Sequence, residues 1–257
     1  MRGEHCVAGA SILSAIALIL LVFAHIGQIS SGTLTNSIYM AEVNVEAYGN
    51  AVSNIANVTK ITSGGLYDTS ATDKLGTGKG LRQYYRWGLY NACGYQKNGK
   101  GVCNSTIFGY PMEPLSQIGA DAPDKFAQQW VDIIPASGFK DNGMNHGLSR
   151  AGSLMIFVGS CLVAVAFIFG FIKARIFFLI AASCSGLGAL LLLTGAAMWT
   201  SLIAKDAWIK ATVVQFGAKL GIYTTAGASL YLVWVAFALV ALSVLPYVVA
   251  CCTFRRN

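Results

Sequence analysis

Tyr84-Tyr85-Arg86-Trp87-Gly88-Leu89-Tyr90-Asn91-Ala92-Cys93, with Cys103 nine intervening residues further on, is the stretch around which this chain is organised. From Arg82 to Ala92 the apolar and aromatic residues Tyr84, Tyr85, Trp87, Leu89 and Tyr90 partly alternate, the pattern of a half-buried strand leading into Cys93. A three-residue turn at Lys97-Asn98-Gly99, with Gly99 in the left-handed conformation, sets Gln96 opposite Lys100 and Cys93 opposite Cys103. A two-residue Asn98-Gly99 turn would instead pair Cys93 with Asn104. The spacing therefore predicts a disulfide clamping one hairpin, the alternative being two free thiols. Closing so short a loop stabilises by roughly 2.5 to 3 kcal/mol.

Outward from this stretch the chain becomes apolar. Of 257 residues, 55% are hydrophobic and 11% charged, against roughly a quarter charged in soluble proteins. Charge-free runs at 5–41, 151–172, 176–204 and 220–254 can each hold the ~20 apolar residues that cross a bilayer, and backbone satisfaction in lipid makes them helices. The expected fold is a four-transmembrane-helix bundle with a disulfide-clamped extracellular β-sheet domain. Residues 1–6 form a cytosolic N-terminus, 7–29 the first span and 30–150 a long extracellular loop carrying the sheet. Residues 151–172 form the second span, 173–175 a cytosolic loop, 176–202 the third span and 203–227 a second extracellular loop. The fourth span is 228–250 and the cytosolic tail 251–257. A signal peptide is the alternative for the first span, since Arg2 precedes it and Ser30, Ser31 and Gly32 follow. Its apolar stretch exceeds a signal core, and Ala24-His25-Ile26-Gly27 is a poor cleavage site.

Arg2, Lys173, Arg175, Arg255 and Arg256 flank one side of the spans, which the positive-inside rule makes cytosolic, although Lys205, Lys210 and Lys219 weaken the asymmetry. The chemistry of the long loop points the same way. Asn57-Val58-Thr59 and Asn104-Ser105-Thr106 are glycosylation sequons, usable in the secretory lumen. Of seven cysteines, only Cys93 and Cys103 lie outside the spans and their cytosolic borders, where a close pair reads as a disulfide. The net charge of +7 carries no basic stripe and no RNA-binding motif, so no nucleic-acid partner is expected. Within the long loop, Leu34 to Val45 (Ile38, Met40, Val43, Val45) reads as a further strand, and Gly64-Gly65 and Gly76, Gly78 and Gly80 as turns. Pro111, Pro114, Pro123 and Pro135 mark a less regular second half with a short helix around Asp124 to Val131.

Trp87-Gly88-Leu89-Tyr90, Cys93 and Cys103 resemble the Gly-Leu-aromatic, Cys, Cys pattern of the claudin superfamily, with Tyr90 where animal claudins have Trp. His146-Gly147-Leu148-Ser149-Arg150, entering the second span, resembles the claudin boundary with its Arg at position 150. Gln215-Phe216-Gly217-Ala218-Lys219-Leu220 resembles the Phe-Gly strand that joins the first-loop sheet. The chain is also similar to the fungal PalI-type tetraspan family, which includes eisosome membrane-patch proteins. The similarity lies in Tyr85-Arg86-Trp87-Gly88-Leu89 and in a fourth span ending Leu245-Pro246-Tyr247, Cys251-Cys252-Thr253, Arg255-Arg256. The resemblance implies a non-enzymatic scaffold of plasma-membrane microdomains, linked to cell wall and stress responses, with both termini cytosolic. Its partners would be ordered, sterol-rich lipids and other integral membrane proteins or further copies of itself. Two alternatives are an auxiliary or regulatory subunit of a large transporter, channel or synthase complex, and a pH-signalling membrane chaperone. The long first loop departs from animal claudins and argues against junctional strand formation, and the short tail lacks the docking segment of many relatives.

Other residues carry open alternatives. Cys6, Cys251 and Cys252 are juxtamembrane palmitoylation candidates or unmodified small residues. His25, within the first span, is either a proton sensor or a neutral side chain hydrogen-bonded to a neighbouring helix or to interfacial water. Ser160 and Ala164, then Ala181, Ser185 and Gly188 with the offset Gly186, have the small-residue spacing that lets helices approach closely, within the bundle or against another protein. Trp199, Trp208, Tyr223 and Tyr231 suit an interfacial aromatic belt. There is no Gly-rich phosphate loop, no metal-spaced His and Cys cluster and no Ser nucleophile motif. Neither an enzyme nor a cofactor or metal is expected.

Overall fold

The computed structural model of the chain describes residues 3–55, 65–126, 139, 141, 143–172, 174–213 and 219–253. In chain order the elements are α1 (Gly3–Ile26), α2 (Thr33–Ser37), β1 (Ala41–Asn44), α3 (Tyr48–Ile55), β2 (Tyr84–Trp87), β3 (Ala92–Tyr95), β4 (Gly101–Cys103) and α4 (Pro114–Gly119). They continue with α5 (Gly143–Gly170), α6 (Arg175–Ala207), a 3-10 turn (Trp208–Ala211), β5 (Tyr223–Ala226) and α7 (Ala228–Thr253).

Helices α1, α5, α6 and α7 are each long and apolar enough to cross a bilayer. Helix α6 packs along α5 and α7, and α7 along α1, whereas α1 meets α5 only sparingly, leaving one loose seam. Glycines bring α5 and α6 together. A Cβ on Gly159 would lie 3.2 Å from the Gly188 carbonyl oxygen, and one on Gly195 would lie 2.8 Å from that of Gly152. These two pairs recur one heptad apart on each helix, which keeps both on the facing stripe. At the other end of the bundle, Tyr247 packs with Ala10, Ala166, Ala181 and Ala182.

Helix α5 starts at Gly143 rather than at residue 151, and α6 runs past residue 202 to Ala207. Hydropathy marks the apolar stretch, but the hydrogen-bond ladder does not stop where lipid does. Beyond it, polar side chains on the two helices satisfy one another: Asn145 Nδ2 donates to Asp206 Oδ2 at 3.4 Å, and Lys205 reaches the Asn145 amide oxygen.

The five strands form one antiparallel sheet in the order β4-β3-β2-β1-β5. Alternation sends Ala41, Val43, Tyr85 and Trp87 into the core, while the cross-strand pair Glu42 and Arg86 forms an ion pair at 2.6 Å on the other face. There the Arg86 guanidinium also lies over the rings of Tyr39, Tyr95 and Tyr84.

Two local expectations need correction, and two others reach beyond the described residues. The strand expected over Leu34 to Val45 is shorter, because residues 33–37 coil into α2, whose Thr35 and Asn36 carbonyls are taken up by the Gln28 side chain. Among the described residues, the second-loop strand that joins the sheet is Tyr223–Ala226, paired with β1; of the segment expected to do so, residues 215–218 lie outside the described residues. Trp199 is fully buried against Gly152 rather than in an interfacial belt, whereas Trp208 and Tyr231 are exposed. The helix expected around Asp124 to Val131 is helical over 124–126, and 127–131 lie outside the described residues.

Candidate functional site

The hairpin of β3 and β4 turns through Lys97-Asn98-Gly99. Gly99 has φ +79, the Gln96 amide donates to Lys100 O at 2.8 Å and the Gly99 amide to Gln96 O at 2.9 Å. The three-residue turn is thus the one adopted, and Cys93 faces Cys103 in the register and is bonded to it.

The motif before it is more turn than strand. Strand β2 ends at Trp87, which is fully buried and donates its indole N–H to Gln117 Oε1 at 3.1 Å. Gly88 donates to Asn91 O at 2.8 Å, closing a tight connection with Leu89 and Tyr90 at its tip. The reason is contact with the end of α1: a Cβ on Gly88 would come 2.5 Å from the Gly27 carbonyl oxygen, so only glycine lets the two backbones pass.

At that contact the chain pivots on Gln28, a fully buried residue with φ +58, a conformation that costs a residue bearing a Cβ. Its side chain repays the strain locally. Nε2 donates to Thr35 O at 2.7 Å, Asn36 O at 3.1 Å and Ile38 O at 3.2 Å, and Oε1 accepts the Tyr95 hydroxyl at 2.9 Å. Gln28 thereby holds α1, α2 and β3 in one place. A lone glutamine after a span carries no pattern, and the sequence reading missed it.

One turn earlier, His25 joins three elements. Ser160 Oγ donates to Ile156 O at 2.7 Å, so it accepts from His25 Nε2–H at 2.9 Å. His25 Nδ1 is then the acceptor for the Tyr90 hydroxyl at 2.6 Å. Burial pushes the Tyr90 phenol up to about 12, so it remains a donor at neutral pH. Both imidazole nitrogens are used by a neutral ring. This geometry matches the hydrogen-bonded alternative for His25, with the Tyr90 hydroxyl as one of its two partners.

A second polar network sits inside the sheet domain. Arg82, 1% exposed, pairs with Asp68 at 2.9 Å and donates to the Ser70 and Asp73 carbonyls. Its amide donates to the Tyr85 hydroxyl at 3.0 Å, which donates to Asp121 Oδ2 at 2.7 Å. Burial raises the Asp121 carboxyl above its usual range, against the hydrogen bonds from Tyr85 and Gly76 that favour its ionised form. At the entry of α5, Arg150 Nη1 donates to His146 Nε2 at 3.2 Å while His146 Nδ1 donates to Glu113 Oε1 at 2.9 Å.

A family model for the SUR7/PalI family matches residues 6–246. The chain belongs to the SUR7/PalI family. No curated protein matches the sequence. In this SUR7/PalI chain the four spanning helices, the antiparallel sheet and the Cys93–Cys103 bridge make a claudin-like tetraspan membrane protein. Gly88 meets the end of α1 at Gly27, Tyr90 meets it at His25, and Cys93 Sγ lies 3.4 Å from Gln28 O, while Trp87 turns inward to Gln117 and Arg150 lies against Gly109.

The remaining sites are dispersed. Asn104 follows β4 and its side-chain amide donates to the Tyr110 hydroxyl at 2.7 Å; Asn57 lies outside the described residues. Cys6 is in α1 and Cys251 and Cys252 are in α7, with their side chains outside the described set. Of the packing residues, Ala181, Ser185 and Gly188 are buried, Ser160 holds His25, Ala164 is half-buried, and a Cβ on Gly186 would meet nothing within 4 Å. Gly152, Gly159 and Gly195 complete the α5–α6 seam and were missed, although Gly152-to-Gly159 and Gly188-to-Gly195 stand one heptad apart in sequence. Among the described residues, no group of three or more His, Cys, Asp or Glu side chains is arranged to hold a metal. The arrangement joins a folded domain to a bundle.

Proposed function

We propose that this SUR7/PalI protein is a non-enzymatic scaffold of plasma-membrane microdomains, with both termini cytosolic and the sheet outside. The observation that carries the reading is the hydrogen-bonded union of sheet and bundle. Strand β5 runs into α7 through Gly227, whose amide donates to Met40 O at 2.9 Å, and Ser229 binds Tyr39 O through its amide and Ala24 O through its hydroxyl. With Gln28 and the His25–Tyr90 bond, the outer surface is fixed in angle and height relative to the lipid-facing helices. A scaffold needs that property to order neighbours on both sides of the interface. Its contacts would be ordered, sterol-rich lipid, other integral membrane proteins and further copies of the chain.

The auxiliary-subunit reading has one observation in its favour, the open face at Gly186, where a foreign helix could approach closely. Purification in mild detergent separates the two. Recovery as a lipid-rich homo-oligomer, and patch-like fluorescence of the tagged chain in cells, support the scaffold. One large partner in fixed stoichiometry would overturn it. Palmitoylation of Cys6, Cys251 or Cys252 would strengthen lipid sorting, and patches that persist when palmitoylation is blocked count against that contribution.

A further inference from the structure

We infer that Ile107 and Phe108, the tip of the loop after β4, are embedded in the lipid leaflet on the sheet side, so that the folded domain itself grips the bilayer. The loop is stitched to the motif turn: the Ile107 amide donates to Tyr90 O at 2.8 Å and the Tyr110 amide to Leu89 O at 3.1 Å. Its tip nevertheless leaves Ile107 50% and Phe108 48% exposed. The Phe108 ring packs edge-on against Phe157 at 5.2 Å and lies 5.7 Å from the Tyr90 ring. Phe157 belongs to α5, is itself 39% exposed, and stands among Leu154 and Cys161 on the lipid-facing side of that helix.

Two independent levels locate Phe157. Arg150 is the sole Lys, Arg, Asp or Glu of α5; from it to Gly170 the helix rises about 30 Å, the thickness of the hydrocarbon core. Phe157 is two turns below Arg150 on the same face, about 10 Å down. Gly109, with φ +64, crosses α5 against the backbone of Arg150, where a Cβ would lie 3.5 Å from the Arg150 Cα. The loop thus passes over the helix at the level of the charge and Phe108 hangs beneath it. The second level comes from α1, whose His25 ring lies 6.0 Å from the Phe157 ring one residue before the helix ends; by this measure Phe157 is at the boundary. The first level puts the Phe108 ring within the hydrocarbon and the second puts it at the glycerol border; both depths lie inside the leaflet, and the first, set by the charge, is the firmer.

The occupant is therefore lipid, the acyl chains and glycerol region of that leaflet, because the patch is continuous with the lipid-facing belt of α5. It also covers the outer end of the loose seam between α1 and α5. This inference rests on the multi-pass topology and not on the scaffold reading, so either can fail alone.

The test attaches an environment-sensitive dye at Ile107→Cys, with Asn98→Cys at the tip of the β3–β4 hairpin as control. Both sit in full-length chain whose cysteines outside the disulfide are alanine, reconstituted in phosphatidylcholine nanodiscs. Expected are severalfold stronger quenching at position 107 than at 98 by lipid spin-labelled near the headgroup, and severalfold weaker quenching by aqueous iodide. Adding Phe108→Asp should bring the dye at 107 to the iodide accessibility of position 98. Equal behaviour at the two positions overturns the inference, as does a dye at 107 that is shielded from iodide yet unquenched by lipid, which would mean a protein partner covers the tip.

Discussion

The sheet domain and the helix bundle are held together by different physics within one chain. Around the sheet, charged, hydroxyl and indole groups are brought inside and paired: Arg82 with Asp68, Tyr85 with Asp121, Trp87 with Gln117. In the bundle, glycine and alanine let backbones touch, as at Gly159 and Gly188, and among the described residues the directed bonds between helices gather towards the sheet end, as at Asn145 with Asp206 and His25 with Ser160. The difference follows the solvent. In water, burying apolar surface drives folding, and buried polar groups serve to specify one arrangement. In lipid there is no such drive between helices, and association relies on close packing. The junction, where Tyr90, His25, Ser160 and Gln28 meet, uses both.

That contrast can be broken from the sheet side first. Arg82→Met should strand the Asp68 carboxylate in the core and destabilise the sheet domain by about 3–5 kcal/mol, read as loss of protease resistance in the long loop while α1, α5, α6 and α7 keep their helical circular dichroism. If the helices melt with it, the two regions are one cooperative unit. Replacing both Cys93 and Cys103 by alanine should cost roughly 2.5 to 3 kcal/mol, and reducing the native protein should reproduce the shift in thermal melting. Gly188→Val attacks the other region: overpacking of the α5–α6 seam should cost about 1–3 kcal/mol, measured as a lower melting temperature in detergent with the disulfide intact. The smallest effect belongs to the junction. Tyr90→Phe should lose about 0.5–1.5 kcal/mol, and a double-mutant cycle with His25→Phe should return a coupling of that size. No coupling would mean that the hydroxyl bond does not hold the sheet to the bundle.

Within the long loop, what could be read from sequence was local. The turn at Gly99 and the facing of Cys93 and Cys103 followed from chain geometry over eleven residues (93 through 103). The motif at Gly88 was harder. Its residues alternate like a strand, but the backbone leaves β2 at Trp87 because α1 presses against Gly88, a contact between residues far apart in sequence. Leu34 to Ser37 read as the start of a strand for a similar reason: the side chain that folds this segment into α2 belongs to Gln28.

By itself the sequence determined the membrane class, four helices from four charge-free runs, and the disulfide hairpin. Each of these depends on hydrophobicity or on short-range covalent reach, which are properties of contiguous residues. Tertiary structure alone decided that His25 is a bridge with both nitrogens occupied, that Gln28 is the pivot between bundle and sheet, that β5 completes the sheet, and that Arg82 lies buried. Those outcomes depend on which distant group supplies a hydrogen-bond partner or excludes water, and no spacing along the chain encodes that.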